Sequence, residues 1–238
     1  MSRDMSAPDQ EQQRRHTSFF GRRKGHRLRR HQAELVDQAL PKLALDLATP
    51  APQPLARLFP GKTDSVRLEI GFGGGEHLLA EVHANPDTGF IGCEPYLNGL
   101  AKILARLEAA PADNLRLFAG DAAELLGWLP AASIQRIDLI HPDPWPKRRH
   151  WKRRFVQQAT VASMARILQR GGEFRFVSDI GDYAAWTLDL LRRAPDFVWS
   201  AERADDWRKP WPGFTHTRYG AKAVREGRAA TYLIFRRR

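Results

Sequence analysis

Apolar residues fall along this chain in two kinds of block. Short dense runs occur at Val66–Ile70, Gly89–Glu94, Leu115–Ala119, Arg136–His141, Phe174–Ser178 and Thr231–Phe235. Their length and β-branched or aromatic content read as strands. Between them, apolar residues recur at helical spacing. Leu35, Ala39 and Leu40 share a face in a helix predicted over Gln32–Leu40, with Pro41 near its end. Leu78–Val82 continues a second helix, and Leu97, Leu100, Ile103, Leu104 and Leu107 mark a third. Phe155–Leu168 reads as a helix closed by Gly171-Gly172, and Tyr183, Trp186, Leu190 and Leu191 as another. Strands alternating with helices predict an α/β domain over residues 31–238, with a mostly parallel sheet covered on both faces. Pro50, Pro52 and Pro54 form a linker-like lead into the first strand.

Residues 1–30 have little such periodicity. Arg14, Arg15, Arg22, Arg23, Lys24, Arg27, Arg29 and Arg30 crowd the second half, with Phe19 and Phe20 among them. A segment this polar does not bury enough apolar surface to fold alone. It is expected to be either a basic arm that orders on a phosphate backbone or a solvated tail.

The run Val66–Ile70 ends in Gly71-Phe-Gly-Gly-Gly75, and a helical pattern opens at Glu76. Strand, glycine turn and helix start are the context of a nucleotide-type site. Gly71-x-Gly73 is followed by Glu76 where a dinucleotide fingerprint has its third glycine. A carboxylate aimed at a pyrophosphate over a helix N-terminus is electrostatically wrong, so a ligand with a cationic group suits the loop better. Acidic residues then stand at successive strand ends: Glu69, Glu94, Asp121, Asp143 and Asp179. Ligands of open α/β sheets bind beyond those ends. Glu94 lies 21 residues after Gly73, where a carboxylate accepts from ribose hydroxyls. Asp121 is suited either to an adenine edge or to capping the next helix.

Charge enlarges this picture. The chain has 238 residues, with 38 Lys and Arg against 27 Asp and Glu, a net charge of +11. That excess points to a polyanionic partner, most simply nucleic acid. One cysteine, Cys93, excludes an internal disulfide framework and a Cys-based zinc site. His141 and His150 are too few for a metal site, and none is expected. The chain shows neither a secretory apolar core nor a membrane-length apolar run, so the expectation is a cytoplasmic protein without membrane association. A monomer is also expected.

The most specific stretch is His141-Pro-Asp-Pro-Trp-Pro-Lys-Arg-Arg-His-Trp-Lys-Arg-Arg154. Its prolines fix the backbone around Asp143 and Trp145 at the end of the fourth predicted strand. Six of the eight residues 147–154 are Lys or Arg, with Trp151 interleaved. Cations and aromatics together suit backbone phosphates and an unstacked base.

Pro142-Asp-Pro-Trp-Pro-Lys147 with its basic run resembles the signature of bacterial tRNA (guanine-N7-)-methyltransferases. Glu69-Ile-Gly-Phe-Gly-Gly-Gly-Glu76 resembles the first motif of class I S-adenosylmethionine-dependent methyltransferases. Gly92-Cys-Glu94, Ser178-Asp179, Thr217-Arg-Tyr219, Ala221-Lys222 and the basic lead-in Gly21-Arg-Arg-Lys-Gly25 agree, so the resemblance spans roughly residues 18–236. It implies a Rossmann-like fold with a seven-stranded sheet, S-adenosylmethionine as methyl donor without a metal, and tRNA as partner. The implied target is guanosine 46 of the variable loop. Glu69, Gly71, Gly73, Glu94, Asp121 and Asp143 would then hold the donor. Asp143 would also be the catalytic acid, and Lys147, Asp179, Thr217, Arg218 and Tyr219 would hold the guanosine. The resemblance departs from the family pattern at Gly220, where Glu is usual, and Glu226, nearby in sequence, is a candidate to substitute for it.

Three other readings stay open on residues alone. They are an inactive RNA-binding protein on this fold, a nicotinamide-dependent dehydrogenase, and a methyltransferase acting on protein or DNA. Glu76 and the basic run disfavour the dehydrogenase.

Overall fold

The computed structural model describes residues 20–21 and 23–238. Much of the predicted basic arm (residues 1–19 and 22, with Arg14, Arg15, Phe19 and Arg22) lies outside the described residues. The strands are β1 (Ser65–Ile70), β2 (Thr88–Cys93), β3 (Leu115–Phe118), β4 (Ile134–Ile140), β5 (Leu168–Ser178), β6 (Phe197–Trp199) and β7 (Thr231–Arg237). They form one seven-stranded sheet in the order β3-β2-β1-β4-β5-β7-β6. The first five run parallel, and β7 is antiparallel to both β5 and β6. The chain winds outward from β1 to β3 and then returns to lay β4 on the other side of β1. That reversal opens a crevice beyond the C-terminal ends of β1 and β4.

The main helices are α1 (Arg30–Gln38), α2 (Glu76–Ala84), α3 (Leu97–Ala109), α4 (Ala122–Trp128), α5 (Gln158–Ile167), α6 (Gly181–Arg193) and α7 (Arg218–Arg225). Phe72, Leu78, Val82, Phe90, Leu100 and Ile103 belong to one apolar cluster. Leu68, Ile137, Leu139, Met164, Phe174, Phe176 and Leu191 belong to a larger one.

Several elements depart from the pattern-based reading. The helix predicted to Leu168 ends at Ile167, and Gly171-Gly172 does not close it but lies inside β5. Register with β4 shifts there. Gly171 has φ +78°, and a Cβ at Gly172 would stand 2.8 Å from the Gln135 carbonyl, so the irregular strand has room only for glycine. The three-residue β6 is too short to leave a periodic signal. Helices α4 and α7 were not predicted: α4 is short, and α7 buries only Gly220 and Ala223.

One face of the sheet is ionic rather than apolar. Register sets Arg67 beside Arg136, Arg136 beside Glu173, and Glu173 beside Arg236. One step on, Glu69 lies beside Asp138 and Asp138 beside Arg175. Like charges would repel in this arrangement, but α2 inserts Glu81 and His77 from above. Glu81 takes Arg67 at 3.2 Å and Arg136 at 2.5 Å, Arg136 also reaches Asp138 at 2.8 Å, and His77 Nδ1 lies 2.7 Å from Glu69. Every-other-residue alternation in Val66-Arg-Leu-Glu-Ile70 is the sequence signature of this face.

The His77–Glu69 pair is almost fully buried. Burial pulls the His77 pKa down, but Glu69, with Asp138 and Glu81 behind it, outweighs burial and pushes it up to about 9. Burial also raises Glu69; three carboxylates face His77, so we take the protonated imidazole as the controlling charge. A raised histidine pKa stabilises the fold fully below the unfolded value near 6.5, and the gain is lost as pH rises through 9. Urea midpoints measured from pH 6 to 10 are therefore expected to fall by the equivalent of about 3 kcal/mol at most across that window. The His77→Gln variant, already weaker at pH 6, is expected to lack this slope.

Candidate active site

The glycine loop after β1 turns on positive φ at Gly71, Gly73 and Gly75, the last being the residue before α2. A Cβ at Gly75 would strike Ile103 at 2.8 Å, whereas one at Gly71 would meet nothing within 4 Å. The loop is thus packed on its core side and open on the crevice side. Glu94, at the end of β2, fixes it: one carboxylate oxygen accepts from Gly73 N–H at 2.7 Å and the other from Tyr96 N–H at 3.0 Å. Gly99 lets α3 approach, since a Cβ there would lie 2.5 Å from the Gly73 carbonyl. Burial raises the Glu94 carboxyl, the two backbone donors oppose this, and nearby Asp143 adds to the rise.

Asp121 caps α4 by accepting from Ala123 N–H at 2.9 Å through Oδ1. Its other oxygen has no hydrogen bond among the described residues. Asp143 stands at the rim: solvent reaches its side chain, while surrounding protein desolvates its carboxyl and raises it above the ordinary value. Glu69, the last residue but one of β1, is buried at the foot of the loop, with one carboxylate oxygen 2.7 Å from His77 Nδ1. Glu76 is turned to Arg106 at 3.0 Å. The charge that seemed wrong for a pyrophosphate is therefore also engaged elsewhere.

The segment 217–219 closes the other side. Thr217 caps α7 by accepting from Gly220 N–H at 3.2 Å. Tyr219 comes within van der Waals reach of a Cβ built on Gly73 (3.8 Å), half exposed above the loop. Arg218 stacks on Tyr219 with its guanidinium 4.9 Å from the ring, and its charge acts on Glu94. Asp179, after β5, bonds His141 Nδ1 at 3.2 Å and Arg228 Nε at 2.7 Å. Burial would raise the Asp179 carboxyl, but these two partners hold it below its usual range. Glu226, the residue considered a substitute at position 220, instead pairs with Arg228 and lies exposed. It acts on the cation of Asp179 and does not reach Gly220's place.

The six cations of 147–154 divide by role. Lys147, Arg148, Arg149 and Lys152 are exposed. Arg153 lies 5.1 Å from the Trp145 ring and 5.3 Å from Phe20, so the start of the described chain is stacked on the Pro-Asp-Pro-Trp turn. Residues 23–26 run on past α3, where Leu97 N–H donates to the Arg23 carbonyl at 3.0 Å and Gly25 N–H to Asn98 Oδ1 at 2.9 Å. Arg154 is buried among Trp151, Tyr183 and Trp186, 4.5, 4.9 and 5.7 Å from their rings. It donates to the carbonyls of Pro144 at 2.9 Å and Asp182 at 3.3 Å, tying the turn to α6.

Sequence reasoning grouped Arg154 with the surface cations. Its place directly before Phe155 and Val156 was the available signal. His141 and Arg228 also went unassigned. Among the described residues, no group of three His, Cys, Asp or Glu is placed to hold a metal ion, and no helix is long and apolar enough to cross a membrane.

The family described as "Putative methyltransferase" matches residues 63–233. A Rhodopseudomonas palustris (strain BisB5) protein named tRNA (guanine-N(7)-)-methyltransferase is 70% identical over 92% of this chain and 86% of its own length. A Bradyrhizobium diazoefficiens protein of the same name is 66% identical over 100% of both chains. Among solved structures, the 16S rRNA methyltransferase KamB superposes with TM-score 0.56 at 14% identity, over 80% of this chain and 96% of its own. The aminoglycoside resistance methyltransferase NpmB1 gives 0.53 at 17% identity, over 75% and 89%. At these identities the two structures show a shared fold alone.

The Arg154→Met variant keeps the apolar stem but removes the donors to Pro144 and Asp182. Partly buried carbonyls left unpaired cost at most about 1–3 kcal/mol each, and cation–π contacts add about 1 kcal/mol. A loss of about 3 kcal/mol in urea unfolding is expected, with altered fluorescence from Trp151 and Trp186.

Proposed function

We propose, for a chain that belongs to the tRNA (guanine-N(7)-)-methyltransferase family, that the crevice beyond β1 and β4 joins a methyl-donor site to a guanosine site. The reaction is methylation of guanine N7 in tRNA, at guanosine 46 of the variable loop. The observation that carries this reading is the meeting of two sequence-distant segments: Tyr219 lies against Gly73, and Arg218 and Asp143 both act on Glu94.

The residues fit S-adenosylmethionine. The loop opens on the side of Gly71, Glu94 is fixed with lone pairs left over for ribose hydroxyls, and Asp121 keeps an oxygen for an adenine amine. Glu94, Asp121 and Asp143 place negative charge where a cationic ligand would lie. When bound, that donor supplies an electrophilic methyl group on a sulfonium.

Guanine N7 carries a free lone pair at neutral pH, so the protein needs no general base to expose it. Its task is to hold the nucleophile in line, which is catalysis by positioning. Positive charge develops on the base as it is methylated, and the Asp143 carboxylate stands at the rim to stabilise it. Asp179, kept ionised by Arg228, accepts from the guanine N1–H and amino edge. Adenine cannot satisfy that acceptor. The exposed cations Lys147, Arg148, Arg149 and Lys152 take the RNA backbone beside the site.

The direct test is methyl transfer from labelled S-adenosylmethionine to an unmodified tRNA transcript and to one with adenosine at position 46. Label in the first only is expected. Label in neither, with tRNA still bound, would leave a binding protein on this fold. The Asp143→Asn variant is expected to lose about a hundredfold in kcat while its tRNA affinity stays within twofold. Near-normal turnover would remove Asp143 from this role.

A further inference from the structure

His77 is the second residue of α2, and one nitrogen of its ring is engaged by Glu69 at 2.7 Å. With the imidazole protonated, Nε2 carries a second N–H. That atom is buried and has no hydrogen-bond partner among the described residues. The neighbouring ring is that of Phe214, with centroids 5.5 Å apart and planes tilted by 42°. Aromatic rings at about 4.5–7 Å attract one another, and a positive imidazole adds the attraction of a cation for π electrons.

Phe214 is also the hub of its own segment. Its ring meets Trp211 at 4.9 Å, His216 at 5.2 Å and Tyr232 at 5.4 Å, each edge-on. Tyr232, from β7, forms with Ile140 and Val177 the apolar cluster against which Phe214 packs. Ile140 and Val177 stand just before His141 and Ser178, so this cluster lies at the crevice ends of β4 and β5. Trp211 is seated on the ionic face, its ring 5.0 Å from the Arg175 guanidinium. Pro212-Gly213 makes a tight turn between the two rings: Phe214 N–H donates to the Trp211 carbonyl at 3.1 Å, and Gly213 has φ +80°. Thr217, the cap of α7, follows Phe214 by three residues, a span of at most about 11 Å. The segment carrying Thr217, Arg218 and Tyr219 is thus tied to the start of α2 at two points. Phe214 rests on His77, and Tyr219 lies against Gly73, four residues earlier in the chain.

We propose that Phe214 is a positioning residue for methyl transfer: seated on His77, it fixes the Thr217–Tyr219 segment relative to the donor loop. The assignment rests on the guanosine-N7 reading given above, in which that segment holds the base. Phe214 acts through the three residues that join it to Thr217, and no contact with donor or guanosine is assigned to it. In-line displacement depends on alignment, where a misplacement of about 1 Å costs about a hundredfold in rate. Overall tRNA affinity, carried by cations on phosphates, depends little on it.

The test is single-turnover methyl transfer at pH 7, with S-adenosylmethionine saturating and enzyme in saturating excess over an unmodified tRNA transcript. Under these conditions the rate constant does not depend on the fraction of chain that is folded. Phe214→Leu keeps apolar bulk without the ring, and Phe214→Tyr keeps the ring. Leucine is expected to lower the rate constant at least about tenfold, with Kd for donor and for tRNA within about twofold of native. Tyrosine is expected to stay within about threefold of native. In a His77→Gln background the loss caused by leucine is expected to shrink to about twofold or less, because its partner is already gone. The leucine–tyrosine comparison decides alone if the double variant does not fold. An unchanged rate constant in Phe214→Leu, the result of a merely structural role, overturns the assignment while the N7 reading stands. Equal losses in the leucine and tyrosine variants overturn it too, as does a leucine loss that persists in full without His77. No transfer by the native chain would overturn the N7 reading itself, and the assignment with it.

Discussion

The Glu94 carboxylate is the interaction on which the site depends. It draws together two stretches of backbone, the glycine loop at Gly73 and the start of α3 at Tyr96, through bonds of 2.7 and 3.0 Å. Both donors are peptide groups that a helix start or a turn would otherwise leave unpaired. A side chain that satisfies them defines the loop's shape before any ligand arrives. Gly99 completes the arrangement by letting α3 approach the Gly73 carbonyl. Removing the carboxylate would therefore disturb loop, helix and ligand contact at once, so loss of donor affinity in such a variant would not measure one contact.

The strand–helix alternation was legible because parallel strands buried on both sides leave dense apolar runs, as in Thr88–Cys93, whose residues are all buried. The glycine loop and the strand-end carboxylates were legible because their chemistry is local to a few residues. What escaped was set by distance in sequence. Glu69 was legible as a strand-end acid, but its buried partner His77, the second residue of α2, was not. Arg154 counted as surface charge because its cage comes from Trp151, Tyr183 and Trp186, up to 32 residues away in sequence. The Gly171-Gly172 pair carries the same letters whether it ends a helix or kinks a strand; only the facing Gln135 carbonyl decides.

The ionic face of the sheet complements this. Arg67, Glu69, Arg136, Asp138, Glu173 and Arg175 would be costly if left unpaired under helices. Register brings them into rows, and α2 supplies the missing counter-charges through Glu81 and His77. An apolar replacement could pack as well, but it would not define which residue of α2 lies over which strand. The helix that begins at the glycine loop is thereby held in one axial position.

The close approach of His141 to Gly220 also orders the mutational paths open to this chain. With the imidazole in place, a Cβ at position 220 would sit 3.2 Å from Nε2, and alanine is accommodated only by a shift of a few tenths of an ångström. A longer side chain would have to displace the ring. A side chain larger than alanine at position 220 therefore requires residue 141 to become smaller or its ring to move first. The two positions are epistatic, and descendants of this sequence would be expected to change them together or leave both alone.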